Sequence, residues 1–288
     1  SIRENFELPR VGPFVSGISW ASDNEAFLKP VNGTAIVKQP TALQGDQNVT
    51  LTATIRYQTV TETKTFSVTV KSLAPAEYSF EGNLKEIKGA FAEASETGNR
   101  INNTGGKVTY VAGVKGSAVH SDGTAGIRLP DNLITTNSYS VSLWLKPDAF
   151  TNYTTAFFGG SSATAWISLV PSMNGSNKTR LWGDMGGYFD KGELATRIPD
   201  GKWTHVAFTV DGDKNDTLKI YINGALQLEV PGVPKVFTVV GETTEFALGV
   251  NYWDTPFNGA YDELKVYTGA ISAELITALY QEGAAAAQ

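Results

Sequence analysis

The sequence has no cysteine and only two histidines among its 288 residues. The missing thiols exclude disulfides, thiolate metal ligands and cysteine nucleophiles together, and so few imidazoles leave little for a zinc site. A secreted animal protein of this size usually carries disulfides, so the chain reads either as cytosolic or as bacterial and extracellular. Long apolar runs are also missing: nothing approaches the roughly 18 to 20 apolar residues of a membrane-spanning helix. The opening Ser1-Ile2-Arg3-Glu4 lacks signal-peptide character and reads as the start of a segment from a longer chain. Charge is scarce as well, at 18% of residues, and 23 Lys+Arg against 29 Asp+Glu give a net charge of −6. That balance offers no electrostatic footprint to a nucleic-acid backbone. Neither a phosphate-binding glycine loop nor a Gly-x-Ser-x-Gly nucleophile elbow occurs.

What the chain does have is turn and strand material: 29 Gly, 12 Pro and 11% aromatic residues. This composition predicts an all-β protein, and the length suits about two domains. In Val49-Thr50-Leu51-Thr52-Ala53-Thr54-Ile55 apolar and hydroxyl residues alternate, the period of a strand with one buried face, and Phe66, Val68 and Val70 repeat it. About four to six such strands before residue 72 predict a small sandwich. Ser72-Leu73-Ala74-Pro75-Ala76 carries neither period, and Pro75 cannot donate to a ladder, which places a linker at 73–76. From residue 77 to 283 about a dozen further strands predict a large two-sheet jelly roll. Asn223-Gly224 marks a tight hairpin, because both turn positions need positive φ. A single helix is expected over Ser272–Gly283, with Ser272 as its cap, Leu275 and Leu279 on one face, and Gly283 ending it in a left-handed turn; residues 284–288 then form a tail.

Two resemblances rest on ordered phrases. Phe6-Glu7-Leu8-Pro9, Ile18-Ser19-Trp20-Ala21-Ser22-Asp23-Asn24, Asn48 to Ile55 and Thr63 to Val70 together resemble the atypical bacterial immunoglobulin-like domain that recurs as a spacer in secreted glycosidases. The second set is Tyr78 to Leu84, Gly113 to Val119, Tyr139-Ser140-Val141-Ser142-Leu143-Trp144-Leu145-Lys146-Pro147, Trp203-Thr204-His205-Val206-Ala207-Phe208, Ile220 to Gly224 and Tyr261 to Tyr267. It resembles the bacterial laminin-G-like, concanavalin A-like jelly-roll family over nearly all of 77–283. That family hosts carbohydrate-binding modules, adhesive domains and inert spacers alike.

The resemblance implies one structural calcium ion near the rim, held by Glu81 and Asp262, with Asn83 and the Gly113 to Gly116 turn supplying carbonyl oxygens. Calcium takes six to eight hard oxygens at about 2.3 to 2.6 Å, which such a set can provide. Glu81 stands where Asp is commoner in the family. The alternative is that both are rim carboxylates bonded to loop amides.

Sugar rings present apolar faces that stack on Trp and Tyr while polar neighbours satisfy the hydroxyls. Trp20, Trp144 and Trp203 fall on framework phrases and are expected to pack inside. Trp166, Trp182 and Trp253 do not, and the text around them, Trp182 to Tyr188 and Asn251-Tyr252-Trp253-Asp254, reads as loops. Trp166, Trp182, Tyr188, Tyr252, Trp253 and Asp254 are therefore the candidate ligand-binding set, against the alternative that they plug the ends of the sandwich. His205 lies opposite the buried set Val206, Phe208 and Val210, on a face that could line a cleft, and both it and His120 are expected to be structural or surface residues.

A glycosidase needs two carboxylates about 5 to 10 Å apart. The Glu-x-Asp-x-(x)-Glu strand of the jelly-roll glucanases is missing, and Asp262 and Glu263 are adjacent and so point to opposite faces of a strand. Asp211-Gly212-Asp213-Lys214-Asn215-Asp216 lacks the closing Glu of an EF-hand and reads as a hairpin loop. The expected role is thus the non-catalytic, carbohydrate-binding part of an extracellular or cell-surface bacterial glycoside hydrolase. Its catalytic domain would lie elsewhere in the parent protein, with polysaccharide or glycan as partner. An adhesion module for a host glycan or protein and a ligand-free spacer remain the other readings.

Overall fold

The computed structural model describes residues 2, 5–40, 45–72, 75–89, 91–239 and 241–286. Ser1, Arg3 and Glu4 of the opening, Leu73 and Ala74 of the expected linker, and Ala287 and Gln288 of the expected tail lie outside them. The chain divides into two compact units, Ser1–Ala74 and Pro75–Gln288, and the secondary structure of the described residues is all β apart from one C-terminal helix and one 3-10 turn.

The first unit holds two three-stranded sheets, one pairing Phe6–Glu7, Thr34–Val37 and Leu28–Val31, the other Gly17–Ser22, Gln47–Tyr57 and Val60–Val70. The alternation in the long central strand works as expected over its first half. Val49, Leu51 and Ala53 are buried, and Val49 and Leu51 join Leu8, Leu28, Ala35 and Val70 in a small core. The period weakens at Phe66, which lies opposite the buried Leu51 yet is 39% exposed. Its ring instead covers Trp20, 5.6 Å away, whose indole Nε1 donates to the Pro9 carbonyl.

The second unit is built on an eight-stranded and a seven-stranded antiparallel sheet. The larger centres on Ser138–Ala149, flanked by Thr204–Asp211 and Asn258–Thr268. The smaller runs from Tyr188–Glu193 through Arg180–Met185, Ala165–Val170 and Phe157–Ser162 to Glu245–Leu248, Gly126–Leu129 and Ser95–Thr97. Between them lies a dry core including Leu143, Leu145, Phe157, Ile167, Leu169, Leu181, Val206, Phe208 and Phe246. At roughly 1.5 to 3 kcal/mol for each fully buried large side chain, this core dominates the unit's stability. Asn223 and Gly224 take φ of 50° and 77°, closing the hairpin between Thr217–Ile222 and Ala225–Pro231.

The helix spans Ala273–Ala286, and Ser272 Oγ accepts from the Leu275 N–H at 3.3 Å, as a cap should. Its end differs from expectation. Gly283 is buried inside the helix, where a Cβ would sit 2.5 Å from Trp144 Nε1. This glycine serves close packing of helix on sheet, which leaves the helix free to continue. Under it lie Trp144 and His205, both on the outer face of the larger sheet, with Tyr280 stacked 5.7 Å from Trp144. His205 shares a 2.8 Å hydrogen bond with Ser142 Oγ, and burial pushes its pKa down to about 4.

Candidate ligand-binding site

The other outer face carries a smaller buried cluster, Ile101, Phe158, Trp166, Ala247 and Val250, and beside it an open cavity. On Ala165–Val170 and Arg180–Met185 the side chains alternate, so Ile167, Leu169 and Leu181 enter the core while Trp166, Ser168, Trp182 and Asp184 face outward. The register pairs Trp166 with Asp184 and Ser168 with Trp182, and the next hairpin sets Tyr188 opposite Asp184. Trp166 and Trp182 are therefore strand residues, contrary to the loop reading of the sequence; beside Trp182 the period of two was present but obscured by Gly183. The wall opposite comes from the segment after Glu245–Leu248, which carries Asn251, Trp253 and Asp254.

Together these residues, with Tyr153 and Ala163, line a cavity of about 380 Å³. The rings form a row by successive contacts: Trp253 to Trp166 at 5.5 Å, Trp166 to Trp182 at 5.0 Å, Trp182 to Tyr188 at 5.2 Å. Tyr153 stacks on Trp182 at 5.9 Å. Asn251, itself buried, fixes the wall. Its Oδ1 accepts from the N–H groups of Trp253 (2.9 Å) and Asp254 (2.7 Å), and its Nδ2 donates to Asp254 Oδ2 (2.6 Å). Burial raises the Asp254 pKa against the opposing pull of that hydrogen bond and of Arg100. Asp184 Oδ1 accepts from the Gly187 N–H at 2.9 Å. No Lys, Arg or His is found among the described residues lining the cavity.

Of the six expected ligand residues, Trp166, Trp182, Tyr188, Trp253 and Asp254 line this one cavity. Tyr252 turns away: its ring meets Phe158 edge-on at 5.2 Å and its hydroxyl donates to Glu245 Oε2 at 2.7 Å, so it backs the Trp253 segment. The sequence reading missed Tyr153, Ser168, Asp184 and Asn251. Ser168 and Asp184 were findable, since each lies two residues from a chosen Trp on a strand.

At a separate place, Glu81 and Asp262 converge on the turn between Gly113 and Ser117. Glu81 Oε2 accepts from the Ser117 N–H at 2.9 Å, and Asp262 Oδ2 accepts from Val114 (2.7 Å) and Lys115 (3.1 Å). The turn's glycines make the approach possible: a Cβ at Gly113 would lie 2.5 Å from Asp262 Oδ2, and one at Gly116 would strike the Glu81 carboxylate. Asp262 is fully buried, and desolvation outweighs its hydrogen bonds and pushes its pKa up to about 7. Asn83 closes its own turn, donating to the Glu81 carbonyl at 2.8 Å and accepting from the Lys85 N–H. Glu263 follows Asp262 at a bulge, with φ of 47°, and points instead towards Lys265, 3.7 Å away. No cluster of three or more His, Cys, Asp or Glu suited to a metal occurs among the described residues. Both carboxylates accept from amide N–H groups of the turn, and carboxylate oxygen is the donor chemistry that a hard cation takes.

The model of the concanavalin A-like lectin/glucanases superfamily matches residues 121–277, and that of the atrophied bacterial Ig domain matches residues 1–73. The chain belongs to the concanavalin A-like lectin/glucanases superfamily. Within that superfamily it is similar to domain 4 of AbnA, a GH43 extracellular arabinanase from Geobacillus stearothermophilus, solved in complex with arabinotriose. The identity is 44%, the match covers 73% of this chain and 99% of that one, and the TM-score is 0.68. The binding domain of Paraclostridial Mosquitocidal Protein 1 shares the fold at 12% identity and a TM-score of 0.50, over 73% of this chain and 52% of that one. No curated protein matches. No helix among the described residues is long and apolar enough to cross a membrane.

Proposed function

We propose that the unit Pro75–Gln288 is a carbohydrate-binding module for neutral polysaccharide of the arabinan type, the non-catalytic accessory part of an extracellular bacterial glycoside hydrolase. The row of rings from Trp253 to Tyr188 along an open cavity carries this reading. Stacked rings take the apolar faces of sugars, and Asp184, Asn251, Ser168 and Asp254 offer hydrogen-bond partners to hydroxyls. With two carboxylates and no cation at the wall, the cavity disfavours uronic acids and other anionic sugars. The similarity to a domain bound to arabinotriose supports the pentose polymer. Asp184 and Asp254 come from a strand and a loop, without the single-strand spacing of the glucanases, and serve here as acceptors. Binding raises the local concentration of an attached catalytic domain at its substrate.

Native affinity gels test this. Arabinan is expected to retard the chain and polygalacturonate to leave it unretarded, with Trp182→Ala abolishing the retardation. Free migration through arabinan overturns the assignment, and release of reducing sugar from arabinan overturns its non-catalytic part.

The same reading gives the Gly113–Ser117 turn a structural calcium ion held by Glu81 and Asp262, which would compensate the buried Asp262 charge. Calcium is expected to raise Tm relative to EDTA, more at pH 8 than at pH 5.5 because protonated Asp262 competes with it. An unchanged Tm at both pH values counts against the ion.

A further inference from the structure

We propose that a polysaccharide chain held in the cavity passes over Tyr188 into a second cleft on the far side of that ring. The proposal rests on the carbohydrate reading above and extends it to how the polymer lies. A chain leaves a cavity where its wall is open, and the row of rings provides no wall at Tyr188. This residue ends the row, is 69% exposed, and lines two cavities at once.

The second cleft has a volume of about 500 Å³. Asp190, Lys191 and Lys235 on its walls supply both donors and acceptors for hydroxyl groups. The ridge between the two spaces is the tip of the hairpin joining Arg180–Met185 to Tyr188–Glu193. Met185 there is 45% exposed, so the tip presents an apolar surface that the fold leaves uncovered. Tyr188 is not a freely swinging side chain. Its backbone pairs with Asp184, and its ring leans on Trp182 at 33°. The crossing is therefore a fixed platform, with cavity on either side.

Isothermal titration of the intact chain with linear arabino-oligosaccharides from trimer to hexamer tests the proposal. A trimer fills the first cavity, and the added residues of the hexamer reach the second. Affinity is expected to rise about fivefold or more from trimer to hexamer, the gain of one further platform contact. Gly187→Trp blocks the second cleft, and it is a benign position because a Cβ there meets nothing within 4 Å. This variant is expected to bind trimer as before and to lose the hexamer gain. Trimer and hexamer of equal affinity, or a gain that survives Gly187→Trp, overturns the second-cleft proposal while leaving the site itself intact. Failure of the trimer to bind overturns the carbohydrate reading and the proposal with it.

Discussion

The two outer faces of the jelly roll carry the same kind of residue to different ends. On the larger sheet Trp144 and His205 point away from the core, and the helix Ala273–Ala286 covers them, with Gly283 against the Trp144 ring and Tyr280 stacked on it. On the smaller sheet Trp166 and Trp182 point away from the core in the same alternation; Trp166 is buried in a small cluster with Phe158, Ala247 and Val250, while Trp182 packs beside it and lines an open cavity. The helix thus packs over the outward aromatics of one face, while on the other Trp182 borders an open cavity.

If this contrast is correct, substitutions on the two faces separate stability from binding. The largest effect is expected from Trp144→Ala, a buried ring whose removal costs about 3 to 5 kcal/mol in denaturant unfolding, with saccharide affinity of the folded protein unchanged. Loss of affinity in that variant would break the comparison. Next comes acid. His205 has a folded pKa of about 4 against 6.5 for the free group, so the unfolded chain binds its proton first. Its contribution is whole above pH 6.5 and is lost as pH falls towards 4, in total about 3 kcal/mol. Asp262, pushed up to about 7, works with the opposite sign over much of that range, so the measurement is the stability difference between wild type and His205→Gln across pH 4 to 7. A pH-independent difference would show that the covered face is not dry. Trp182→Ala, on the open face, is expected to weaken oligosaccharide binding by about tenfold or more and stability by about 1 kcal/mol, read by titration calorimetry and thermal unfolding. The smallest effect belongs to Tyr252→Phe. It removes one hydroxyl hydrogen bond to Glu245, about 1 kcal/mol of stability, and shifts affinity by less than about twofold.

The same contrast explains what could be read from the sequence. Ordered phrases such as Tyr139 to Pro147 and Trp203 to Phe208 are strands buried on one face and covered on the other, so their periodicity is strong and the fold follows from them. The strands of the site are weaker text. Gly183 and Gly192 sit where Cβ atoms would strike the neighbouring strands' carbonyls, and such glycines make Arg180–Met185 look like a loop. The site aromatics were recognisable by chemistry, while their partners Ser168 and Asp184 depended on knowing the strands. Tyr252 was misplaced because adjacent aromatics in a loop give no direction; Asn251, by binding the two following N–H groups, turns Trp253 inward and leaves Tyr252 behind it. The helix end failed for a different reason: Gly283 has two possible uses, and only the position of Trp144 decides between them.

Asn251 also bears on the speed of binding. Because it already holds Trp253 and Asp254 in place, no loop has to order itself when a sugar arrives, and the cost of that ordering drops out of the free energy. Encounter with a preformed wall is limited by diffusion and orientation and not by a folding step. Differences in affinity among oligosaccharides should then reside almost entirely in how long each stays, so a module carried along a polymer would sample it by rapid capture and release.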